Sequence, residues 1–276
     1  MNKVFSISVI LPTLNEGENL KILLPHLIDN LNSVEDLIYE IIVVDDGSTD
    51  NTFDLLNREE FNKNVKLIKR KEDPSLPMAL YDGIESAEHS FVAWLDADGS
   101  MSPDVLLEMV KIQQANQSEV IIGSRFVEGG GYKGIKQLGK TSIISAIRNV
   151  YNSNDSVLGM IFSTLFNIFL RIILDTDVRD ITSGFIIGKK DYFNKEIFST
   201  ADYGDYFIYL VFEIEKQNIN IIEHGYICET RVHGVSKTST NVLQLISRGI
   251  PYIKAANQCR KASKWKFMTR MIIYLQ

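Results

Sequence analysis

Two aspartates separated by a single residue are the clearest sign of chemistry in this sequence. Asp96 and Asp98 directly follow an apolar run at residues 91–95, which predicts a buried strand. In extended backbone, residues i and i+2 point the same way, so both carboxylates can reach one hard cation. Mg²⁺ or Mn²⁺ held there would bridge the two phosphates of a nucleoside diphosphate and stabilise it as a leaving group. Because aspartate beside Gly99 is also common in turns, the pair is weak evidence on its own.

Short β-rich runs alternate with helical patterns through the first half of the chain. Strands are predicted at residues 6–11, 39–44, 65–69, 91–95 and 120–122, with helices near 17–31, 50–57, 78–87 and 103–116. This alternation predicts an α/β fold with a mainly parallel sheet flanked by helices, which binds ligands beyond the carboxyl ends of its strands. Polar residues follow each predicted strand: Asn15, Glu16, Asp45, Asp46, Lys69, Arg70, Asp96, Asp98 and Arg125. The sequence therefore places a polar site at one edge of the sheet.

The second half of the chain is less regular. A glycine-rich stretch at residues 129–134 precedes a strongly apolar helix predicted at 156–174. One face of that helix carries four polar residues, Ser163, Thr164, Asn167 and Arg171. Their placement favours a helix that packs on the domain or lies in a membrane interface over one that crosses lipid. A strand near 185–188, a helix near 205–217 and a strand near 219–222 are expected to complete an edge of the sheet.

Basic residues are concentrated at the C-terminal end. Residues 231–276 carry nine Lys or Arg and no Asp or Glu, although the whole chain has 29 basic and 35 acidic residues and a net charge of −6. Aromatic and aliphatic residues such as Trp265 and Ile272 accompany the basic ones. This combination favours an anionic membrane surface over nucleic acid. Residues 239–276 are therefore predicted to form a basic amphipathic tail that associates with a membrane.

The cysteines and the N-terminus indicate a cytosolic setting. Cys228 and Cys259 have neither metal-ligand spacing nor a disulfide pattern, which favours a reducing compartment. The first strand begins almost at once, and no signal-peptide core precedes it. We therefore expect the protein at the cytoplasmic face of a membrane, either peripheral or anchored by a segment missing from this chain. The sequence does not indicate an oligomeric state.

Six motifs occur in a fixed order along the chain, and together they are far more specific than any one of them. They are LPTLNE at 11–16, VVDDGSTD at 43–50, DADGS at 96–100, GSRF at 123–126, VRDITSGF at 178–185 and RVHGVSK at 231–237. Through them, over about residues 6–240, the chain resembles the family 2 glycosyltransferases with the GT-A fold. Within that family it is similar to the dolichyl- and polyprenyl-phosphate mannosyl or glucosyl transferases. The resemblance implies a GT-A catalytic domain at 1–238, with a donor-binding half at about 1–125 and an acceptor-binding half at about 126–238.

The resemblance also implies roles for particular residues. Contacts with the donor base and ribose fall on Pro12, Leu14, Glu16, Val44, Asp45 and Asp46. Contacts with metal and diphosphate fall on Asp96, Ala97, Asp98 and Ser100, the last of which stands where the family often has Gln. The acceptor phosphate would be cradled by Arg125, Arg179 and Ser183, while Arg231 and Lys237 match a loop that closes over the donor diphosphate. Carboxylates suit ribose hydroxyls and ring N–H groups, and guanidiniums bind phosphate bidentately.

These observations predict a metal-dependent, inverting glycosyltransferase that moves a sugar from a GDP-mannose or UDP-glucose type of donor to a polyprenyl phosphate. A phosphomonoester is largely ionised near neutral pH, so its oxygen can attack the anomeric carbon without a strong protein base. Catalysis then consists of positioning and electrostatics, and attack opposite the leaving diphosphate inverts the anomeric centre. In the loop at residues 73–77, two prolines stand where the family usually has glycines, which leaves its contact with the donor open.

Three alternatives stay open at the level of sequence. A GT-A transferase that acts on a sugar hydroxyl of a polysaccharide or cell-surface glycan would need a carboxylate base, for which Asp205 is the candidate. A non-catalytic nucleotide-sugar-binding subunit would use the tail to recruit a partner. A tail that binds nucleic acid is the weakest of the three, and we expect no nucleic-acid partner. Some of these residues could have purely structural roles instead. Arg179 could pair with Asp177 or Asp180 on the surface, and Asp45 could shape a turn.

Overall fold

The computed structural model describes residues 4–57, 63, 65–117, 119–132, 157–229 and 242–274. Within the two long helices of the second half, side chains are described for residues 163–174 and 247–263. The described segments form a seven-stranded sheet that helices cover on both faces, together with a two-stranded sheet.

The strands and helices of the first half lie within two residues of their predicted bounds. The strands are β1 Phe5–Thr13, β2 Leu37–Asp45, β3 Val65–Lys69, β4 Phe91–Trp94, β5 Val120–Ser124, β6 Gly131–Tyr132, β7 Ile186–Lys189, β8 Ile221–Gly225 and β9 Ile227–Cys228. The helices are α1 Gly17–Asn32, α2 Thr52–Leu56, α3 Leu76–Ser86, α4 Pro103–Ala115, α5 Val157–Leu174, α6 Lys195–Ser199, α7 Tyr206–Lys216 and α8 Val242–Tyr274. The predicted α/β class and mainly parallel sheet are therefore confirmed.

The order of the strands explains how distant residues meet. It is β3-β2-β1-β4-β7-β5-β8, and all neighbours pair in parallel except β7, which runs antiparallel to both β4 and β5. The expectation that residues 185–188 lie at a sheet edge is wrong, because β7 pairs on both sides and β8 forms that edge. Trp94 pairs with Ile186, so the end of β4 lies beside the beginning of β7. Residues before Ile186 consequently share one edge with the carboxyl ends of β1, β2 and β4.

Two hydrophobic cores cover the faces of the sheet, because alternate residues of a strand point to opposite sides. On β1, Ile7, Val9 and Leu11 pack in the core that includes α1 and α4. Ile10 points the other way, into the core that includes Trp94, α3, α7 and α8. All five of these side chains are at most 1% exposed. The strand ends that carry the polar residues are therefore held on a platform buried from both sides.

The apolar helix predicted at residues 156–174 is present as α5, and its polar face is turned inward. Asn167 is 2% exposed; its side-chain amide donates to the carbonyl of Arg179, and its oxygen accepts from the N–H of Ile181 at 3.2 Å. The hydroxyls of Ser163 and Tyr132 hydrogen-bond at 3.1 Å. The outward face leaves four apolar side chains exposed, namely Leu165, Ile168, Phe169 and Ile172. The helix thus packs on the domain through Asn167 together with the buried Leu170 and Leu174, and presents a second apolar stripe outward.

The basic C-terminal region contains one long helix. Helix α8 spans 33 residues and includes Pro251. It packs against α5 and α7, and Ala255, Ala256 and Cys259 are buried in the same core as Trp94. In the part of the chain that the structure describes, no helix is both long enough and apolar enough to cross a membrane. The domain boundary after residue 238 and the contact of the tail with a membrane stay predictions.

Candidate active site

A cleft of about 300 Å³ opens at the edge of the sheet where the parallel strands end. Its first wall comes from the loops after β1, β2 and β3 and includes Pro12, Thr13, Leu14, Glu16, Asp46, Pro74, Ser75 and Leu76. Its floor is formed by Asp96, Ala97 and Asp98, directly after β4. Its second wall includes Thr182, Ser183, Gly184, Asp202, Tyr203, Gly204, Tyr206 and Tyr252. The predicted site at this edge is therefore present as one connected space.

The loops after β1 and β2 hold each other in place. Asn15 has a positive φ of 59°, a conformation that asparagine tolerates better than most residues. Its N–H donates to Ser48 Oγ, and its side-chain oxygen accepts from the N–H of Thr49, both at 2.8 Å. The N–H of Gly17 donates to Asp50 Oδ2 at 3.1 Å. These bonds fix the shape of the first wall before any ligand binds.

Asp46 anchors the proline-containing loop to the first wall. One of its carboxylate oxygens accepts from Arg70, and the other accepts from the N–H of Ser75 at 2.6 Å. Arg70 also donates to Asp82 at 2.7 Å. Burial alone would lower the pKa of the Arg70 guanidinium, but its hydrogen bonds to Asp82 and Asp46 raise it, so the cation persists. The network places Pro74 in the cleft lining, so this loop does contact the space predicted for the donor.

Asp96 and Asp98 both line the cleft, but residues 97–98 form a turn instead of the extended backbone expected there. Asp98 is 5% exposed, and its Oδ1 accepts from the N–H of Ser100 at 2.9 Å. Gly99, which lies between Asp98 and Ser100, has a φ of 80°, a backbone conformation that favours glycine. Among the described residues, no three His, Cys, Asp or Glu side chains are grouped to hold a metal. Two carboxylates nevertheless fit Mg²⁺ or Mn²⁺, because these cations take further oxygen ligands from water and substrate phosphates.

Arg125 forms a buried ion pair behind the second wall. Its Nε and Nη2 donate to the two carboxylate oxygens of Asp180, each at 2.8 Å, and its backbone N–H donates to the same carboxylate at 2.9 Å. Nη2 also donates to Thr182 Oγ1 at 2.9 Å. Burial alone would lower the pKa of the Arg125 guanidinium, but the charge of Asp180, which is 0% exposed, raises it well above its usual value. Arg125 thus braces the loop that leads into β7 and is outside the cleft lining.

The predicted phosphate cradle is only partly brought together. Ser183 lines the cleft, but its hydroxyl already donates to the carbonyl of Gly123 at 2.5 Å. Arg179 is exposed outside the cleft lining, and its guanidinium forms no ion pair with any residue in the described ranges. The surface salt bridge considered for it is therefore not formed, since Asp180 pairs with Arg125 instead. Of the two arginines, Arg179 is the one with a guanidinium open to solvent.

The second wall contains residues that no sequence motif indicates. Asp202 is exposed and lines the cleft, whereas Asp205, the candidate base, is 3% exposed and lies outside the lining. The carboxylate of Asp205 accepts from the N–H of Tyr203 at 2.7 Å and from that of Asp202 at 3.2 Å. Asp205 therefore shapes the turn that presents its neighbours. Tyr252 reaches the same wall from α8, and nothing in the motif pattern indicates a role for it.

Some residues with predicted roles do not reach the cleft. Val44 and Asp45 are 0% exposed and outside its lining. Asp45 Oδ1 accepts from the N–H of Ser48 at 3.0 Å, and Oδ2 has no hydrogen-bond partner within the described ranges. Ser100 is also outside the lining, and its carbonyl accepts from the N–H of Glu229 at 2.9 Å. Two further predicted donor contacts, Arg231 and Lys237, lie outside the described residues.

Comparison with known families places the chain. The sequence model of glycosyl transferase family 2 matches residues 8–197, which is more than half of the chain. The chain belongs to glycosyl transferase family 2. The matched range of this family 2 protein includes the first wall, the floor and the residues before β7. The family and the glycosyltransferase class that the six motifs predicted are both confirmed.

Several curated family 2 relatives match a part of the chain. The dolichol-phosphate mannosyltransferase of Pyrococcus furiosus is 38% identical over 124 residues, which are 45% of this chain and 34% of that protein. The poly(ribitol-phosphate) beta-glucosyltransferase of Bacillus spizizenii is 32% identical over 119 residues, 42% of this chain and 18% of that protein. The chondroitin synthase of Escherichia coli is 27% identical over 150 residues, 54% of this chain and 21% of that protein. The chain thus spans about a third or less of each relative's length.

Solved structures share the fold. The glucosyl-3-phosphoglycerate synthase of Mycobacterium tuberculosis, in complex with Mn²⁺, UDP and phosphoglyceric acid, matches with a TM-score of 0.60 at 16% identity, covering 93% of this chain and 78% of that one. The same synthase with Mn²⁺ and UDP-glucose matches with a TM-score of 0.58 at 15% identity, covering 93% and 79%. Likeness at this identity establishes the fold alone, and it confirms the GT-A architecture.

Proposed function

We propose that this family 2 protein moves a sugar from a nucleotide-sugar donor to a polyprenyl phosphate, with inversion at the anomeric carbon. The observation that carries the proposal is the pair Asp96 and Asp98 on the floor of a cleft whose walls come from different halves of the chain. The first wall would hold the nucleoside, and the second would face the reacting sugar and the acceptor. The similarity to a dolichol-phosphate mannosyltransferase supports a lipid phosphate as acceptor.

Asp96 and Asp98 would hold Mg²⁺ or Mn²⁺ at the cleft floor. When bound, the cation neutralises the charge that develops on the leaving diphosphate. The two carboxylates orient the diphosphate relative to both walls, and Arg231 and Lys237 would add positive charge from the loop predicted to close over it. Structures of the same fold that contain Mn²⁺ together with UDP support this assignment.

We assign the contact with the acceptor phosphate to Arg179 rather than to Arg125. Arg125 uses Nε and Nη2 on Asp180 and Thr182, whereas the side chain of Arg179 is exposed to solvent. The N–H of Arg179 donates to Glu223 at 2.8 Å, which fixes the backbone from which the guanidinium extends. A phosphate oxygen is bound most strongly by such a charge-assisted donor. Arg125 would then keep the loop before β7 in shape.

The outward face of α5 supports a membrane-bound acceptor. Its exposed side chains, 43% to 72% accessible, follow a helical stripe at i, i+3, i+4 and i+7, namely Leu165, Ile168, Phe169 and Ile172. Asn167 on the inward face donates a hydrogen bond to the carbonyl of Arg179, so the helix that carries the stripe is bonded directly to the backbone of this arginine. Insertion of the stripe into the boundary of the acyl chains would bring Arg179 near the lipid phosphates. Basic residues of the tail would add attraction to an anionic cytoplasmic leaflet.

A transfer assay with extraction into organic solvent tests the proposal. The protein is incubated with radiolabelled GDP-mannose or UDP-glucose, Mn²⁺ and a short polyprenyl phosphate. We expect label in the organic phase with one of the donors, and its loss when EDTA removes the cation. Arg179→Ala should raise the KM for the lipid phosphate, whereas Lys111→Ala, an exposed lysine on α4, should not. Label that reaches only water-soluble acceptors would overturn the lipid acceptor.

One further candidate function is favoured by a specific observation. Asp202 is an exposed carboxylate on the second wall, which is where a general base for a sugar hydroxyl would be needed. Transfer to a hydroxyl of a polysaccharide or cell-surface glycan would then depend on Asp202, and two of the matched relatives are named poly(ribitol-phosphate) beta-glucosyltransferase and chondroitin synthase. Under this alternative, Asp202→Asn abolishes transfer to an oligosaccharide acceptor. Under the lipid-phosphate proposal, the same variant keeps most of its activity, because the acceptor is already ionised.

A further inference from the structure

Tyr252 completes the cleft from a part of the chain that the family match does not reach. It belongs to α8, beyond residues 8–197, yet its side chain lines the second wall beside Tyr206. Its ring packs edge-to-face on Phe166 of α5, with the ring centroids 6.0 Å apart. The C-terminal helix therefore contributes a ring held at a defined place in the site.

The hydroxyl of Tyr252 is held beside the cleft and has no hydrogen-bond partner among the described residues. It makes no hydrogen bond within the described ranges, and its position requires a glycine at residue 204, because a Cβ on Gly204 would lie 2.1 Å from it. Burial raises the pKa of Tyr252, and the negative charges that Tyr203 and Asp205 can carry raise it further. The hydroxyl consequently stays neutral and able to donate a hydrogen bond at any physiological pH.

Its place in the cleft indicates which part of a ligand it meets. With the diphosphate held at Asp96 and Asp98 and the nucleoside along the first wall, the sugar extends toward the second wall, where Tyr252 lies. A neutral hydroxyl cannot neutralise a phosphate, but it can both donate to and accept from a sugar hydroxyl. The neighbouring hydroxyl of Tyr206 already accepts from Trp94 Nε1 at 3.1 Å and retains only its own hydrogen for a ligand. Tyr252 thus offers the sugar both a donor and an acceptor from this wall.

We propose that Tyr252 hydrogen-bonds a hydroxyl of the sugar carried by the nucleotide donor and thereby selects the sugar rather than the nucleotide. This inference rests on the proposed function, since it needs a nucleotide sugar in the cleft. It makes α8 a determinant of donor specificity.

Calorimetry on the full chain with Mn²⁺ tests the inference. The ligands are UDP with UDP-glucose and GDP with GDP-mannose, and the pair that the unchanged protein binds is used for the variants. Tyr252→Phe keeps the ring and removes only the hydroxyl. We expect its affinity for the nucleotide sugar to fall about three- to tenfold, the scale of one neutral hydrogen bond, while its affinity for the nucleoside diphosphate and its melting temperature stay unchanged.

Tyr209→Phe is the matched control. The Tyr209 hydroxyl donates to Gln258 Oε1 at 2.5 Å, between α7 and α8 and outside the cleft lining. The inference is overturned if Tyr252→Phe leaves both affinities unchanged, weakens both equally, or acts no differently from Tyr209→Phe. Binding of none of the four ligands by the unchanged protein would instead overturn the proposed function, and this inference with it.

Discussion

Replacing either aspartate of the cleft floor tests whether a cation is held there. Asp96→Asn and Asp98→Asn keep the size of the side chain and remove one anionic ligand. We expect Mn²⁺ to stop tightening the binding of UDP or GDP in calorimetry, and transfer to fall by ~10²-fold or more, the scale of a lost electrostatic contact in the transition state. Asp104→Asn, on the exposed surface of α4, should behave as the unchanged protein. Full Mn²⁺ dependence in both floor variants would contradict the metal site.

The two arginines of the predicted cradle should differ in their effect on stability. Arg125→Ala leaves the carboxylate of Asp180, 0% exposed, without its cation, which typically destabilises a fold by ~3–5 kcal/mol. Arg179→Ala removes an exposed side chain and should change the free energy of unfolding by about 0.5 kcal/mol or less. Urea denaturation followed by circular dichroism measures both values. Similar losses in the two variants would show that the ion pair is not the source of stability.

At the level of single residues, the sequence predicts which side chains lie at the cleft better than it predicts which side chains bind each other. Asp96 and Asp98 face the cleft because they follow a buried strand, and the apolar run that marks this strand is a local signal. The bond between Arg125 and Asp180 joins residues 55 positions apart, and matching motifs does not say which of their members pair. Tyr252 was missed for the same reason, since only the packing of α8 on α5 and α7 brings it to the cleft.

The exposed stripe of α5 should bind lipid without contributing to the fold. Phe169→Ser combined with Ile172→Ser removes two outward side chains that are 48% and 72% exposed. Since burial of each is worth about 1.5–3 kcal/mol, we expect at least a tenfold loss of binding to anionic vesicles in a sedimentation assay, with no change in melting temperature.

Asn167→Ala on the opposite face of α5 is the control for that experiment. Its buried side chain satisfies two backbone groups, so its loss should lower the free energy of unfolding by about 1–3 kcal/mol. Vesicle binding by the intact outward stripe should persist as long as the variant is folded. Undiminished sedimentation of the double serine variant would contradict a lipid-binding role for the stripe.

Among the helices and strands, the bounds of those with clear local sequence patterns were predictable. The order of the strands in the sheet was not. Alternating strands and helices in the first half lie within two residues of the prediction, because turn residues and hydrophobic period mark each one. The antiparallel β7 was expected at an edge and lies between β4 and β5 instead. Its neighbours are set by backbone pairing over roughly a hundred residues of chain, and no short window of sequence contains that information.

At the scale of the whole molecule, folding should slow the reaction of both cysteines with alkylating reagents. Burial raises the pKa of Cys228 to about 11 and that of Cys259 to about 12, so at pH 8 the folded protein holds far less thiolate than the unfolded chain. We expect alkylation by iodoacetamide at pH 8 to be ~10²-fold slower in the folded state and to increase with urea along the unfolding transition. Mass spectrometry of the labelled peptides gives the rate for each thiol. Rapid labelling of Cys259 in the absence of urea would contradict its burial where α8 packs against α7.

Because β7 runs antiparallel to its neighbours, the residues just before it lie at the same edge of the sheet as the ends of β1, β2 and β4. The two walls of the cleft therefore come from separate parts of the chain. Among the described residues, the first wall comes from residues 12–76 and the second wall from residues 182–252. The floor residues Asp96, Ala97 and Asp98 lie between these two stretches in the sequence. Under the proposed function, a substitution in the first wall would change the contact with the nucleoside and leave intact the second wall, which would face the sugar and the acceptor.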